Sequence, residues 1–141
     1  MRFLDTNFFI YAYYKPKRQL TQKEMEMKTY AKKIISDISE GKEKVITTVA
    51  HISEVTNILK RDMPLEQLNH FILGLFMLDN IEIYGVSKEV YFAATELGED
   101  LKLDPNDALA IYVMRLNNIN EIYSFDEDFN KVEGIYRLPK L

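Results

Sequence analysis

Short apolar segments alternate with longer amphipathic ones along the chain, and this alternation restricts the fold more than any other feature of the sequence. Five segments have the length and the β-branched or aromatic content of strands: 2–6, 44–48, 81–86, 121–125 and 134–139. Strands that alternate with helices are typical of a parallel sheet covered on both faces. We therefore predict an α/β fold, a three-layer α/β/α sandwich around a mainly parallel twisted sheet of about five strands.

The predicted helices rest on capping residues and on apolar periodicity. The segment TQKE at 21–24 is a capping box, and Gly41 lies just past the end of the helix that it opens. Asp104 followed by Pro105 is a typical helix start. The predicted helices cover residues 7–14, 21–40, 50–61, 65–79, 88–101 and 104–117.

Composition restricts the class of protein further. The chain has 141 residues, which suits a single domain over residues 1–141 with one substantial core. Because it has no cysteine, it forms neither disulfides nor thiolate metal sites. The longest apolar run, FILGLFML, is too short to span a bilayer, and Asp5 and Asn7 interrupt any apolar leader. We expect a cytoplasmic protein with no signal peptide and no membrane partner.

Three small polar residues, Asp5, Thr6 and Asn7, follow directly on the first predicted strand. An N-cap for the next helix explains one of them but not all three. The segment SFDED follows the strand at 121–125 in the same way. Because right-handed crossovers bring the carboxyl ends of parallel strands to one edge of a sheet, both polar segments are expected at that edge.

Further carboxylates stand beside predicted core, namely Glu54, Asp107, Asp126 and Asp128. Each has an ordinary explanation: a solvated helix position for Glu54, a favourable helix dipole for Asp107, and a polar turn for the last two. Together with Asp5, however, they would converge on one edge, where their repulsion requires a counter-ion. Hard oxygen ligands of this kind suit Mg²⁺ or Mn²⁺.

The two histidines are not expected to contribute to this site. We predict that His51 lies at a helix start or on the surface, and that His70 lies on a packed helix. Both are badly placed to share a site with the carboxylates, so zinc is disfavoured.

Four segments in order, LDTNFFIY, SEV, NDALA and SFDEDF, resemble the motifs of the PIN domain, the nuclease fold of VapC-type toxins. The resemblance runs from Asp5 to the last predicted strand. It implies an acidic quartet with catalytic and metal-binding roles, in which Asp128 is the alternative to the last member. The quartet is Asp5, Glu54, Asp107 and Asp126. Three small polar residues would support these carboxylates: Thr6, Asn7 and Ser124.

The resemblance also implies an activity, the hydrolysis of RNA phosphodiester bonds with Mg²⁺ or Mn²⁺, leaving a 5′-phosphate and a 3′-hydroxyl. Asp5 and Asp126 would hold the first metal ion directly, and Asp107 and Glu54 would bind through water or complete a second metal site. The protein would be the toxin of a type II toxin–antitoxin pair, with RNA as substrate and an antitoxin as partner. The long segment between Asp5 and Glu54, with its capped helix, departs from compact VapC proteins.

A net charge of −4 alone argues against a nucleic-acid binder. The acidic quartet would account for a charge of that size, and bound divalent ions would reverse the local sign. Cations for an RNA backbone are available at 13–18, at 60–61 and at Lys102, and Tyr13 and Tyr14 are candidates for base stacking. An ordinary solvated loop explains 13–18 equally well.

Two other functions fit parts of this pattern. A degenerate PIN module would bind RNA or a protein without cutting, although a complete acidic set disfavours it. A haloacid-dehalogenase-like phosphotransferase would use Asp5 as nucleophile, but Asn7 occupies the place of the second aspartate that such sites need.

The helix predicted over 65–79 is apolar around more than one narrow stripe. It is either a buried core helix or part of a homodimer surface, and PIN nucleases commonly dimerise, so we expect a homodimer.

Overall fold

The computed structural model describes residues 1–140, and a parallel sheet lies at its centre. Within that range the sheet has five strands: Arg2–Leu4 (β1), Val45–Thr48 (β2), Ile81–Tyr84 (β3), Glu121–Tyr123 (β4) and Tyr136–Leu138 (β5). Their order is β3-β2-β1-β4-β5, and every neighbouring pair is parallel. The predicted parallel sheet of about five strands is confirmed.

Helices connect the strands. The α-helices are Thr6–Tyr13 (α1), Gln22–Ser39 (α2), Val49–Leu59 (α3), Leu65–Met77 (α4), Lys88–Leu101 (α5) and Pro105–Leu116 (α6). A short 3₁₀ helix at Glu127–Lys131 follows β4, where the sequence predicts a polar turn. Among the helices of residues 1–140, none combines the length and the hydropathy that crossing a bilayer requires.

The strands pack one set of side chains against each layer of helices, because successive residues of a strand point to opposite faces. Leu4 and Val45 belong to a cluster with residues of α1, α2, α3 and α4. Phe3 and Ile46 belong to a second cluster with residues of α5 and α6. The predicted three-layer α/β/α arrangement is therefore confirmed.

The direction in which the sheet grows reverses between β1 and β4. The chain adds β2 and β3 on one side of β1, and then β4 and β5 on the other side. The carboxyl ends of β1 and β4 are adjacent, and the Asp5 backbone N–H donates to the Tyr123 carbonyl at 3.0 Å. Ligands of open α/β sheets bind at such a reversal, outside the carboxyl ends of the strands.

A close contact between α5 and α6 places the start of α6 at the same edge. A Cβ atom at Gly98 would lie only 2.8 Å from the Leu103 carbonyl oxygen and 3.2 Å from Cβ of Ala108, so only glycine fits here. Lys102, with φ of 58°, ends α5 in the left-handed conformation. The tight turn brings the N-terminus of α6 against the core.

Candidate active site

Asp5 is held in a fixed orientation at the end of β1. Its side chain is buried, and both carboxylate oxygens accept hydrogen bonds. Oδ1 accepts from the Thr6 backbone N–H at 2.9 Å, and Oδ2 accepts from the Ser124 hydroxyl at 2.7 Å. The aspartate is thus more than the N-cap of α1, because its second oxygen is bound to the segment that follows β4.

Asn7 and Ser124 join the ends of β1 and β4. The Asn7 Oδ1 atom accepts from the Phe125 backbone N–H at 3.2 Å, and its Nδ2 atom donates to Ser124 Oγ at 3.4 Å. Ser124 Oγ also accepts from the backbone N–H of Asp126 at 3.0 Å. These contacts give the two residues the surroundings expected of groups that hold carboxylates in place.

Thr6 connects the first strand to Glu54. Its hydroxyl donates to Glu54 Oε1 at 2.7 Å and lies 3.4 Å from the His51 carbonyl oxygen. Glu54 is half-buried on α3, which begins directly where β2 ends. It is therefore not the solvated helix position that its sequence context alone would favour.

Asp107, Asp126 and Asp128 come together from two separate segments. Each offers one carboxylate oxygen, and the three oxygens lie within 4.8 Å of one another. Asp107 is in the first turn of α6, where its backbone N–H donates to the N-cap Asp104 at 2.9 Å. Asp126 caps the 3₁₀ helix by accepting from the Asp128 N–H at 2.9 Å. Asp5 is not one of these three.

The pKa of Asp107 shows how strongly these carboxylates affect one another. Burial and, after it, the negative charges of Asp5, Asp104, Asp126 and Glu54 together raise it to about 8. Asp104, which the sequence indicated only as a helix cap, thus also contributes to the negative charge of the site.

The pKa of Asp5 is also raised, to about 6, chiefly because the carboxyl is buried. The hydrogen bonds from Ser124 and Thr6 favour the ionised form, whereas the charges of Glu54 and Asp126 oppose it. The predicted acidic quartet therefore shares one electrostatic environment.

This donor set fits a hard divalent cation. Among residues 1–140, no lysine or arginine forms an ion pair with any member of the quartet. The three oxygens within 4.8 Å are close enough for a single ion with oxygen ligands about 2.0–2.6 Å away. A cation there would relieve the repulsion that raises the pKa of Asp107. The geometry brings both Asp126 and Asp128 to Asp107, so both remain candidates for the last ligand.

The prediction that His51 lies away from this site was wrong. It is at the start of α3, as expected, but its ring is buried, and Nε2 lies 3.9 Å from Asp5 Oδ1. The signal was present in the sequence, because His51 precedes Glu54 by three residues and such pairs share a helix face. His70 is exposed on α4.

The fold and the acidic site define a PIN domain. The family model of the PIN domain matches residues 2–135, and the chain belongs to this family. Ribonuclease VapC6 of Methanocaldococcus jannaschii is 31% identical over 70 residues, which are 50% of this chain and 46% of that protein. The chain thus spans about half the length of this curated relative.

Solved structures of toxins share the fold. Mycobacterium tuberculosis VapC20, a toxin that cleaves the sarcin–ricin loop, has a TM-score of 0.69 at 19% identity, with 92% of this chain and 93% of that chain covered. A toxin–antitoxin complex from Klebsiella pneumoniae gives 0.66 at 17% identity, covering 96% and 95%. VapBC2 from Rickettsia felis, bound to a promoter DNA fragment, gives 0.61 at 17% identity, covering 96% of both chains.

Proposed function

We propose that this protein is a divalent-metal-dependent endoribonuclease that hydrolyses phosphodiester bonds of RNA. The observation that carries the proposal is the meeting of Asp107, Asp126 and Asp128 within 4.8 Å, at the edge of the sheet where Asp5 is buried. Membership of the PIN family and the likeness to a curated ribonuclease support it.

Asp5, Asp107 and Asp126 would hold Mg²⁺ or Mn²⁺, with Asp128 as the alternative ligand and Glu54 as the fourth acid. Such an ion, when bound, supplies a water molecule of lowered pKa and offsets negative charge that develops on the phosphodiester. In its absence Asp107, with a pKa of about 8, keeps its proton at neutral pH.

The other polar residues of the site have positioning roles in this proposal. Ser124 and Asn7 keep the segment after β4 beside Asp5, and Thr6 keeps Glu54 turned toward the other acids. Fixed ligands of this kind favour a bound ion because little order is lost on binding.

The surroundings of Asp5 disfavour the phosphotransferase alternative. Asp5 is only 5% exposed, and both of its oxygens already accept hydrogen bonds from Thr6 and Ser124. A nucleophilic carboxylate must also have an acid partner, and Asn7 stands where such sites need a second aspartate.

The basic segment 13–18 is a poorer RNA contact than its composition indicates. Lys17 pairs with Asp62 at 3.1 Å, and Arg18 pairs with Glu24 at 2.7 Å. The Tyr13 ring packs against Phe71, with their centroids 4.5 Å apart.

A cavity of about 400 Å³ beside the acids is a better candidate for the RNA backbone. It is lined by residues of α2, of the segment after β4 and of β5: Lys23, Met27, Phe125, Asp126, Glu127, Asp128 and Arg137. Lys23 is exposed at its rim and lies 4.0 Å from Glu127. We assign the phosphate-binding role to this exposed lysine.

We also propose a toxin role, with an antitoxin as partner, and a homodimer. Two structural neighbours are complexes of toxins with antitoxins. On α4, only Leu68 and Leu75 are buried within the chain, whereas Leu73 is 63% and Met77 is 81% exposed. An apolar surface of this kind suits a second copy. Light scattering at micromolar concentration should give the mass of two chains, and a monomeric mass would contradict the dimer.

Cleavage of end-labelled RNA with Mn²⁺ tests the nuclease function. Asp5→Asn should lower the rate of cleavage at least about 100-fold, because it removes charge from the metal site while retaining side-chain size. The matched control is Asp79→Asn, the same change at an exposed residue just before β3, at the opposite edge of the sheet. It should cleave like the wild type.

Two results would overturn the proposal. Wild-type rates from Asp5→Asn would mean that this site does not carry the reaction. RNA binding without cleavage by the wild type, at any Mg²⁺ or Mn²⁺ concentration, would favour the degenerate module.

A further inference from the structure

His51 is a fully buried ring at the junction of three elements that carry the acidic site. It lies in the first turn of α3, its Nε2 atom is 3.9 Å from Asp5 Oδ1 at the end of β1, and the edge of its ring contacts Phe3, with centroids 5.0 Å apart. The backbone carbonyl of Asn106, in the first turn of α6, also faces the ring. Nε2 nevertheless has no partner in hydrogen-bonding geometry among residues 1–140.

The contacts of Thr48 determine where the ring carries its proton. Thr48 Oγ1 accepts from the backbone N–H of His51 at 3.1 Å and lies 2.7 Å from Nδ1 of the same residue. Thr48 is fully buried, so its hydroxyl proton needs an acceptor, and Nδ1 is the acceptor within reach. A hydroxyl that donates to Nδ1 leaves the proton of the neutral ring on Nε2.

The surroundings of Nε2 lead to the same tautomer. A bare Nε2 lone pair would face the Asp5 carboxylate and the Asn106 carbonyl, both of which are acceptors. The ring is fully buried, and burial disfavours the charged form, so the neutral ring has one proton to place. A proton on Nε2 turns this repulsive arrangement into an attractive one.

We propose that His51 is a positioning residue, whose Nε2–H is attracted both to Asp5 Oδ1, 3.9 Å away, and to the Asn106 carbonyl without forming a short hydrogen bond to either. Asn106 directly precedes Asp107, so this one N–H group favours the approach of the helix turn that carries the second acid to the end of β1. The ligand-binding part of this inference rests on the proposed metal site, whereas the tautomer does not depend on it.

Nitrogen-15 NMR of the metal-free protein tests the tautomer directly. The chain has only two histidines, and the His70→Gln variant assigns the remaining ring signals to His51. His51 should give an unprotonated Nδ1 and a protonated Nε2 at pH 7. A protonated Nδ1, or a mixture of the two tautomers, would overturn the proposal.

Calorimetric titration with Mn²⁺ tests the positioning role. His51→Leu removes the donor and should weaken Mn²⁺ binding about 10-fold, which is typical when a group that orients a metal ligand is lost. His51→Gln keeps an N–H donor near the Nε2 position and should bind within about threefold of wild type. Circular dichroism of both variants checks that each is folded, and loss of the fold in both would mean that His51 acts in folding rather than in positioning.

Asp5→Asn separates a failure of this inference from a failure of the proposed function. If Asp5→Asn loses Mn²⁺ binding while His51→Leu binds like wild type, the metal site stands and the positioning role is wrong. If Asp5→Asn binds Mn²⁺ like wild type, the proposed site itself is wrong, and the role of His51 toward it falls as well. Equal weakening in His51→Leu and His51→Gln would leave only a packing role for the ring and would overturn the proposal.

Discussion

The two edges of the central sheet differ in whether their charged side chains have partners of opposite charge. At the amino edge, the Arg2 guanidinium at the start of β1 pairs with Glu43 at 3.0 Å and with Glu121 at 3.3 Å, and donates to the Tyr123 hydroxyl at 2.7 Å. At the carboxyl edge, the quartet of Asp5, Glu54, Asp107 and Asp126 has no lysine or arginine partner among residues 1–140.

The pKa values follow this difference. Burial disfavours the charge on Arg2, yet its partners Tyr123, Glu43 and Glu121 outweigh that effect and raise its pKa. At the carboxyl edge burial and neighbouring charges act together, and the pKa of Asp107 rises to about 8. The charges of the first edge are paired and stabilise the fold, whereas the clustered carboxylates of the second, with their raised pKa values, are typical of a candidate ligand site.

The largest expected effect comes from removing an acid at the unpaired edge. Asp126→Asn should lower Mn²⁺-dependent RNA cleavage about 100-fold or more, because it takes one charged oxygen from the group that includes Asp107. Glu121→Gln is the control at the paired edge, and it should cleave at the wild-type rate. Initial rates on a labelled RNA measure both.

Asp128→Asn sharpens the same test, because the structure brings both Asp126 and Asp128 to Asp107. Asp128 is exposed, and we expect its loss to lower cleavage by only about 10-fold. A larger loss from Asp128→Asn than from Asp126→Asn would reverse the assignment of the last ligand. Equal losses from Glu121→Gln and Asp126→Asn would remove the functional distinction between the two edges.

The second effect is a loss of stability at the paired edge. Arg2→Met should lower the free energy of unfolding by about 2 kcal/mol, because it takes the cation from partly buried Glu43 and the donor from the Tyr123 hydroxyl. Urea denaturation of the metal-free protein measures the change.

The control for Arg2→Met is Lys33→Met. Its ion pair with Asp37, at 3.1 Å, belongs to a lysine side chain that is 69% exposed, so its loss should cost less than about 0.5 kcal/mol. Equal losses from the two substitutions would mean that the Arg2 cluster is no more than a surface ion pair.

The gathering of acids at the unpaired edge followed from local features of the sequence. The parallel sheet followed from alternating strands and helices, and parallel strands bring their carboxyl ends to one edge. The positions of Asp5 and Asp126 after two strands, and of Asp107 in a capped first turn, then placed these acids together. Burial and shared electrostatics agree with that placement.

The paired edge and His51 were not predictable in this way, because they depend on tertiary packing. The hydrogen-bonded pairs of the Arg2 cluster are separated by 41, 80 and 119 positions in the sequence. No short sequence motif indicates contacts over such separations. The His51 ring turns inward because Thr48 accepts its backbone N–H and binds its Nδ1 atom. The sequence shows a histidine at a helix start, but not the direction of its ring.

The smallest expected effect is a gain in stability at the unpaired edge. The folded protein raises the pKa of Asp107 from 3.8 to about 8, so the folded state binds this proton more tightly than the unfolded state. Below about pH 3.8 both states hold the proton, and the carboxyl does not lower the free energy of unfolding. That free energy falls as the pH rises from there to about 8. Asp107→Asn should stabilise the metal-free protein by about 1 kcal/mol at pH 8.

The gain from Asp107→Asn should shrink as the pH is lowered toward 5. Closer to pH 3.8 the unfolded carboxyl is protonated more easily, so keeping the proton in the folded wild type costs less free energy. Urea denaturation at pH 8 and pH 5, without divalent ions, measures it, and Asp79→Asn at an exposed position should show no such pH dependence. Saturating Mn²⁺ should reverse the sign at pH 8, because only the wild type retains the full set of ligands. A loss of stability from Asp107→Asn in metal-free buffer at pH 8 would mean that the carboxylate is stabilised by its surroundings, and the contrast between the two edges of the sheet would then be wrong.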